Sequence, residues 1–205
     1  GYLPGALRNY LVRLGHACPA EGWLETDAMA RHFDLERSSR SAAHFDEAQL
    51  RHWQREAVTH STDAQIEQWL GEHLDALQAG EARSSFVAVV KGNVLFPGEV
   101  DELVDVVARD AVPVSAEATA QIAEAGPEFF VSAGQLLAVH AADFKGWTRA
   151  IAEATGRKGA KLFMPLRSAL TGATHGPELA PLVGLMGTQR VLGRLESARL
   201  LAARN

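Results

Sequence analysis

Residues 156–172 read GRKGAKLFMPLRSALTG. Arg157, Lys158, Lys161 and Arg167 surround a short apolar run in which Leu166, Ala169 and Leu170 recur at helical spacing. That stripe predicts a helix over residues 164–171, with Pro165 in its first turn and Gly172 at its end. The apolar face turns Arg167 away from the core, and the free N–H groups of the helix start favour anions. A guanidinium so placed offers a planar, permanently charged fork to a base edge or a phosphate. Lys158 and Lys161, on a loop loosened by Gly156 and Gly159, suit backbone phosphates better. Gly176-Pro177 then reads as turn followed by helix, and the ATHG loop with His175 places backbone groups beside Arg167. Such a slot suits an unstacked base. A solvated arginine on an amphipathic helix is the competing reading of the same residues.

The rest of the chain also reads as helices joined by short turns. Leu3, Leu7, Tyr10, Leu11 and Leu14 share one face, with Pro4 at the start and Gly15 as a stop. Thr26 starts a short helix through Met29, Asp46 caps one bearing Leu50, Trp53 and Ala57, and Thr62 caps one extending to Leu77. Further helices fit around residues 100–107 and over 115–125, 127–140, 143–155, 177–186 and 188–203. FVAVV at 86–90 is rich in β-branched residues, which favour a strand, but it has no partner strand nearby. QAGEARSS at 78–85 reads as a flexible joint, and SSRSAA at 38–43 as an extended connection with a scrap of strand near 36–42. The predicted class is all-α: a helical bundle or cage preceded by a mainly helical remnant.

At 205 residues, 47% hydrophobic and 22% charged, the chain can bury a substantial core and is not disordered. Its apolar runs are too short to span a bilayer, so no membrane partner is expected. Nothing at the N-terminus resembles a signal peptide, so the expected location is cytoplasmic. One cysteine, Cys18, excludes an internal disulfide and any multi-thiolate zinc site. The net charge of −5 hides a polarity: residues 60–144 carry 3 Lys/Arg against 14 Asp/Glu, and residues 145–205 carry 10 against 3. A basic segment of this kind points to a nucleic-acid surface, or to docking against the acidic segment.

Phosphate-binding glycine loops and the G-x-S-x-G elbow are missing from the sequence. His52, Glu56 and His60 would share a helix face and could bind zinc, though a solvated polar face is the expected reading and no metal site is assigned. Trp53, Trp69 and Trp147 fall at core positions rather than on stacking platforms.

KLFMPLRSALTG at 161–172, followed by THGPEL at 174–179, resembles the C-terminal anticodon-binding region of bacterial glutamyl-tRNA synthetase. GYLPGALRNYLVRLG at 1–15 resembles the helix after that family's ATP-binding lysine-rich loop. FDLERSSRSAAHFD at 33–46 resembles the stem-contact segment that comes next. The resemblance implies the tRNA-recognition half of a class I aminoacyl-tRNA synthetase, a ligase of translation. Its full-length form attaches glutamate to its tRNA with ATP through a glutamyl-adenylate. The H-I-G-H-type and K-x-S-K-type motifs that use ATP and Mg lie upstream of where this chain starts, and neither occurs in it. The implied chain is therefore inactive alone and holds no cofactor. Its implied partners are the glutamate-specific tRNA and the upstream catalytic domain, and the expected state is a monomer.

Residue by residue, Arg167 matches the arginine that reads the first anticodon base. Pro177 and Leu179 match positions lining the middle and third bases, and Gly176, also expected at the anticodon, falls where some relatives have threonine. Asn93, with Lys91 beside it, falls where some members carry an arginine for the third base. Arg157, Lys158 and Lys161 would meet the tRNA backbone. The implied division is a stem-contact part over 1–58 and anticodon-binding subdomains over 59–108 and 109–205, with the acidic middle segment a scaffold whose charge faces away from RNA. The rival reading is a helical protein-interaction module whose basic C-terminal segment docks an acidic partner.

Overall fold

The computed structural model describes residues 1–39, 41–140 and 143–204. Among them the chain forms twelve α-helices and no strand, as the all-α reading expects. They are α1 (Pro4–Leu14), α2 (Thr26–His32), α3 (Glu47–His60), α4 (Asp63–Leu70), α5 (Glu81–Val90) and α6 (Asp101–Ala108). There follow α7 (Ala116–Ala125), α8 (Pro127–His140), α9 (Phe144–Thr155), α10 (Ala160–Thr171), α11 (Leu179–Met186) and α12 (Thr188–Ala202). Four start signals are local: Asp46, Thr62, Ser115 and Asp143 each accept a hydrogen bond from the backbone N–H three residues on. The expected scrap of strand is a single bridge between His16 and Ser38. Within the connection expected over 38–43, Arg40 lies outside the described residues.

Three expectations are corrected by packing. The helix capped by Thr62 does not run to Leu77: Gly71 takes φ of +52° and the chain continues as a 3-10 turn, Gly71–Leu74. Ile66, Leu70, Leu74 and Leu77 are buried all the same, so the break re-aims the stripe instead of losing it. The joint expected over 78–85 is half helix, since α5 begins at Glu81 directly after Gly80. FVAVV closes α5, because Phe86, Val87 and Val90 sit at i, i+1 and i+4 and are completely buried. Tertiary burial overrides their β-propensity.

The third correction concerns Pro165. α10 starts at Ala160 behind Gly159, whose φ is +55°, so Pro165 lies inside the helix and not in its first turn. Its ring removes one i→i−4 hydrogen bond. In return Leu162, Pro165, Leu166, Ala169 and Leu170 form one buried face. The free N–H groups of this helix therefore lie beside Lys161, about 1.5 Å per residue away from where Pro165 predicted them.

A continuous apolar core runs from Val58 to Ala202 around Trp147, Phe86, Phe130 and Ile151. α8 lies along α12 and α9, α10 packs on α7 and α12, and α11 touches α5, α6 and α12. A smaller core of Ala6, Tyr10, Leu50, Trp53 and Ala57 joins α1 to α3, and Leu3 packs against both. Gln54, fully buried, ties the two regions: its side-chain oxygen accepts from Leu3 N at 2.9 Å, and its amide donates to Leu95 O at 2.9 Å. Gln54→Leu keeps the bulk but orphans both backbone groups, so urea unfolding is expected to show a loss of about 2 kcal/mol. A loss under about 0.5 kcal/mol would show that the tie is idle.

Candidate functional site

α10 delivers Arg167 to the wall of a groove of about 740 Å³. The other walls come from the start of α6, the 112–115 segment before α7, the end of α10 and the 173–177 loop. Loop and helix are locked together. Arg167 Nη2 donates to Pro177 O at 2.9 Å, and Ser115 N donates to Gly172 O at 2.9 Å. Gly172 takes φ of +72° and lies so close to Pro113 O that a Cβ would sit 2.0 Å from it, so glycine is required there. Gly176 takes φ of +133°, and a Cβ there would lie 3.5 Å from Arg167 Nη1.

Arg167 is thus neither a free surface arginine nor a core residue. Burial pulls its pKa below the ordinary guanidinium value. Nη1 is buried and, among the described residues, has no hydrogen-bond partner. A charged donor left unsatisfied at a groove wall fits a site waiting for an acceptor.

Asn93, His175, Gly176 and Pro177 line the same groove as Arg167, so the structure brings four of the residues singled out from sequence to one place with it. Asn93 and His175 are exposed and, among the described residues, their side chains make no hydrogen bond or ion pair. Leu179 and Lys91 do not share this wall. Leu179, the first residue of α11, is 5% exposed in the main core, so its side chain presents almost no surface. Lys91 Nζ donates to Ser61 O and lies 3.3 Å from Asp63 Oδ1, on the side of a smaller depression that it shares with Asn93.

The basic cluster of 156–172 is split by the fold. Arg157 and Lys161 line a separate depression with Gln121, Glu124 and Met164. Arg157 donates to Ala125 O at 2.8 Å and lies over the Phe129 ring at 5.0 Å, while Lys158 and Lys161 are exposed. Further along, positive charge is spent inside. Arg190 donates to Val107 O at 2.7 Å and Met186 O at 2.9 Å, covering the last carbonyls of α6 and α11. Arg194, 3% exposed, donates to Leu170 O, to Arg109 O at 2.6 Å and to Asp110 O at 3.4 Å. Burial, with Arg190 nearby, pulls its pKa down to about 10. Neither role is visible in the sequence, where both look like part of a basic surface.

The acidic segment also behaves differently from expectation. Glu99, Glu102, Asp105 and Glu117 line the groove with Arg167, so its charge is not all turned away from the site. Three of them are engaged: Glu99 accepts from Leu95 N at 2.6 Å, Asp105 from Arg109 Nε at 2.6 Å, and Glu117 from Thr174 Oγ1 at 3.5 Å. The His52, Glu56 and His60 set is spread by its own ring contacts: His60 stacks on Trp23, with Nε2 3.6 Å from Glu56, and His52 meets Trp53 edge-on. Among the described residues no three potential ligands are grouped to hold a metal.

The fold and site together define an all-helical domain with a groove walled by a half-buried arginine and several carboxylates. The chain belongs to the anticodon binding domain family, whose model matches residues 62–199. It is 45% identical over 200 residues to a glutamate–tRNA ligase 2 of Acidithiobacillus ferrooxidans, covering 97% of this chain and 41% of the relative. It is also 45% identical over 203 residues to a glutamate–tRNA ligase 1 of Halorhodospira halophila, covering 99% and 42%. The chain therefore spans about two fifths of the length of the curated relatives it matches. A crystal structure of the glutamate–tRNA synthetase of Elizabethkingia anophelis shares the fold, with a TM-score of 0.84 over 98% of this chain and 41% of that one at 19% identity.

Proposed function

We propose that this chain is the tRNA-binding, anticodon-recognising C-terminal portion of a glutamate–tRNA ligase. The observation that carries the reading is the buried, unpartnered Nη1 of Arg167 at the wall of a groove shared with Asn93, His175, Gly176 and Pro177. One guanidinium nitrogen is fixed on Pro177 O, which pre-orients the fork; the other is left for the acceptor edge of the first anticodon base. Asn93 serves the third base, and Pro177 and Leu179 shape the wall for the middle one, Leu179 through its backbone. Lys158 and Lys161, both exposed, and Arg157 meet the phosphates that position the loop. Residues 1–58 contact the tRNA stem, and 59–108 and 109–205 form the two anticodon-binding subdomains. The full-length enzyme attaches glutamate through a glutamyl-adenylate in an upstream domain that binds ATP, and works as a cytoplasmic monomer.

The test is binding of this chain to glutamate tRNA and to the same tRNA with its first anticodon base changed, at two salt concentrations. The unmodified tRNA should bind tighter by about 1–3 kcal/mol, and Arg167→Ala should erase that difference. Binding that ignores the anticodon and vanishes with salt would reduce the surface to a polyanion site and remove the role of Arg167.

A further inference from the structure

Among the described residues, the groove that holds Arg167 is lined by four carboxylates against one guanidinium. That balance suits no phosphate, since like charges at close range repel and anionic carboxylates only accept hydrogen bonds. It suits a ligand that brings acceptors on one edge and a donor on another. Glu99, Asp105 and Glu117 already accept bonds from the protein. Glu102 does not: it is exposed and, among the described residues, carries no hydrogen bond or ion pair. It stands in the first turn of α6. Its neighbour Asp101 is held differently, 2.6 Å from His73 Nδ1.

We propose that Glu102 is a specificity-determining residue of this groove, accepting a hydrogen bond from the exocyclic amine of a nucleobase whose ring acceptors face the groove's donors. The inference rests on the reading of the groove as an anticodon site, and narrows it to a base with an amine. Cytosine carries such an amine beside ring acceptors, whereas uracil presents a carbonyl oxygen at the same place. That oxygen would meet the Glu102 carboxylate acceptor to acceptor, with no proton between them. The groove's own donors, Arg167 Nη1 for the first base or the Asn93 amide for the third, supply the complementary half of the recognition. The acidic lining also explains why the exposed lysines lie outside this groove, at the depression beside the start of α10 and on the loop before it. Phosphates are received there and base edges here.

The experiment is equilibrium binding of the whole chain to glutamate tRNA carrying cytidine or uridine at each anticodon position in turn, for the unmodified protein, Glu102→Gln and Arg167→Ala. The unmodified chain should show one position at which cytidine to uridine weakens binding about tenfold. In Glu102→Gln, whose amide both donates and accepts, that penalty should shrink below about twofold while binding of the cytidine form persists. If Glu102→Gln tightens every RNA equally and leaves the penalty in place, Glu102 is only a repulsive charge and the proposal falls. If no position prefers cytidine although Arg167→Ala still abolishes anticodon preference, the proposal also falls and the anticodon reading stands. If the unmodified chain ignores the anticodon altogether, both fall.

Discussion

Arg194→Ala is expected to cost about 3–5 kcal/mol of folding stability, the largest loss from any single arginine of this chain. The guanidinium is 3% exposed and donates to the carbonyls of Leu170, Arg109 and Asp110. Those carbonyls belong to the end of α10 and the strap after α6, so one side chain joins three segments that share no local sequence. Truncation would leave the buried Leu170 carbonyl unpaired, at about 1–3 kcal/mol, and the half-buried Arg109 and Asp110 carbonyls unpaired at a smaller cost. Urea unfolding should show the loss as a lower midpoint with little change in slope. Arg194→Lys, with charge but no fork, should fall between the two. The pKa of about 10 lies below the ordinary arginine value, so the folded state holds this proton less tightly than the unfolded chain. The burial penalty on the charge is therefore constant below about 10 and is relieved only as pH rises above it. Accordingly the loss in Arg194→Ala should not vary between about pH 6 and 9. A loss under about 1 kcal/mol would mean the carbonyls find other partners and the buried arginine is dispensable.

Gly172→Ala should destabilise by about 3 kcal/mol or more, through two effects that can be separated. The first is conformational: φ is +72°, where a Cβ costs about 1–2 kcal/mol. The second is collision, because the new Cβ would lie 2.0 Å from Pro113 O, a backbone atom with no rotamer to change. Gly156→Ala isolates the first effect, since its φ is +70° and a Cβ there meets nothing within 4 Å. Paired unfolding measurements should therefore find Gly172→Ala worse by at least about 1 kcal/mol. Equal losses would show that the strap yields freely. Because Ser115 N also bonds Gly172 O, moving the strap would open the groove beside Arg167. Gly172→Ala should then weaken anticodon preference as well, which Gly156→Ala should not.

Much of the fold is legible because helices are written in local code. The caps at Asp46, Thr62, Ser115 and Asp143 and the punctuation at Gly126-Pro127 act over three or four residues, and each is found where its pattern predicts. The same holds for part of the site. Arg167, His175, Gly176 and Pro177 are close in sequence, so their meeting in one groove follows from a helix and the loop behind it. Asn93 is the exception, since it reaches the groove from a distant segment and only resemblance pointed to it. Pro165 shows the limit of local code, because its preference for a first turn yields to the buried face that Leu162, Leu166 and Ala169 make around it.

Sequence by itself determined the helical class, most caps, the arginine and glycine that build the groove wall, and the charge polarity of the chain. Tertiary structure alone decided what that charge does. Arg190 and Arg194 read as surface cations, yet they end on carbonyls 83 to 85 residues away, because the ends of α6, α10 and α11 converge and leave acceptors partly shut off from water. Glu102 reads as one acid among many, yet packing sets it in the same groove as Arg167 and, among the described residues, without a hydrogen bond or ion pair of its own. Periodicity specifies which face of a helix is buried; it carries no information about which remote helix end will arrive there, and hydrogen-bond demand inside the core depends on that arrival.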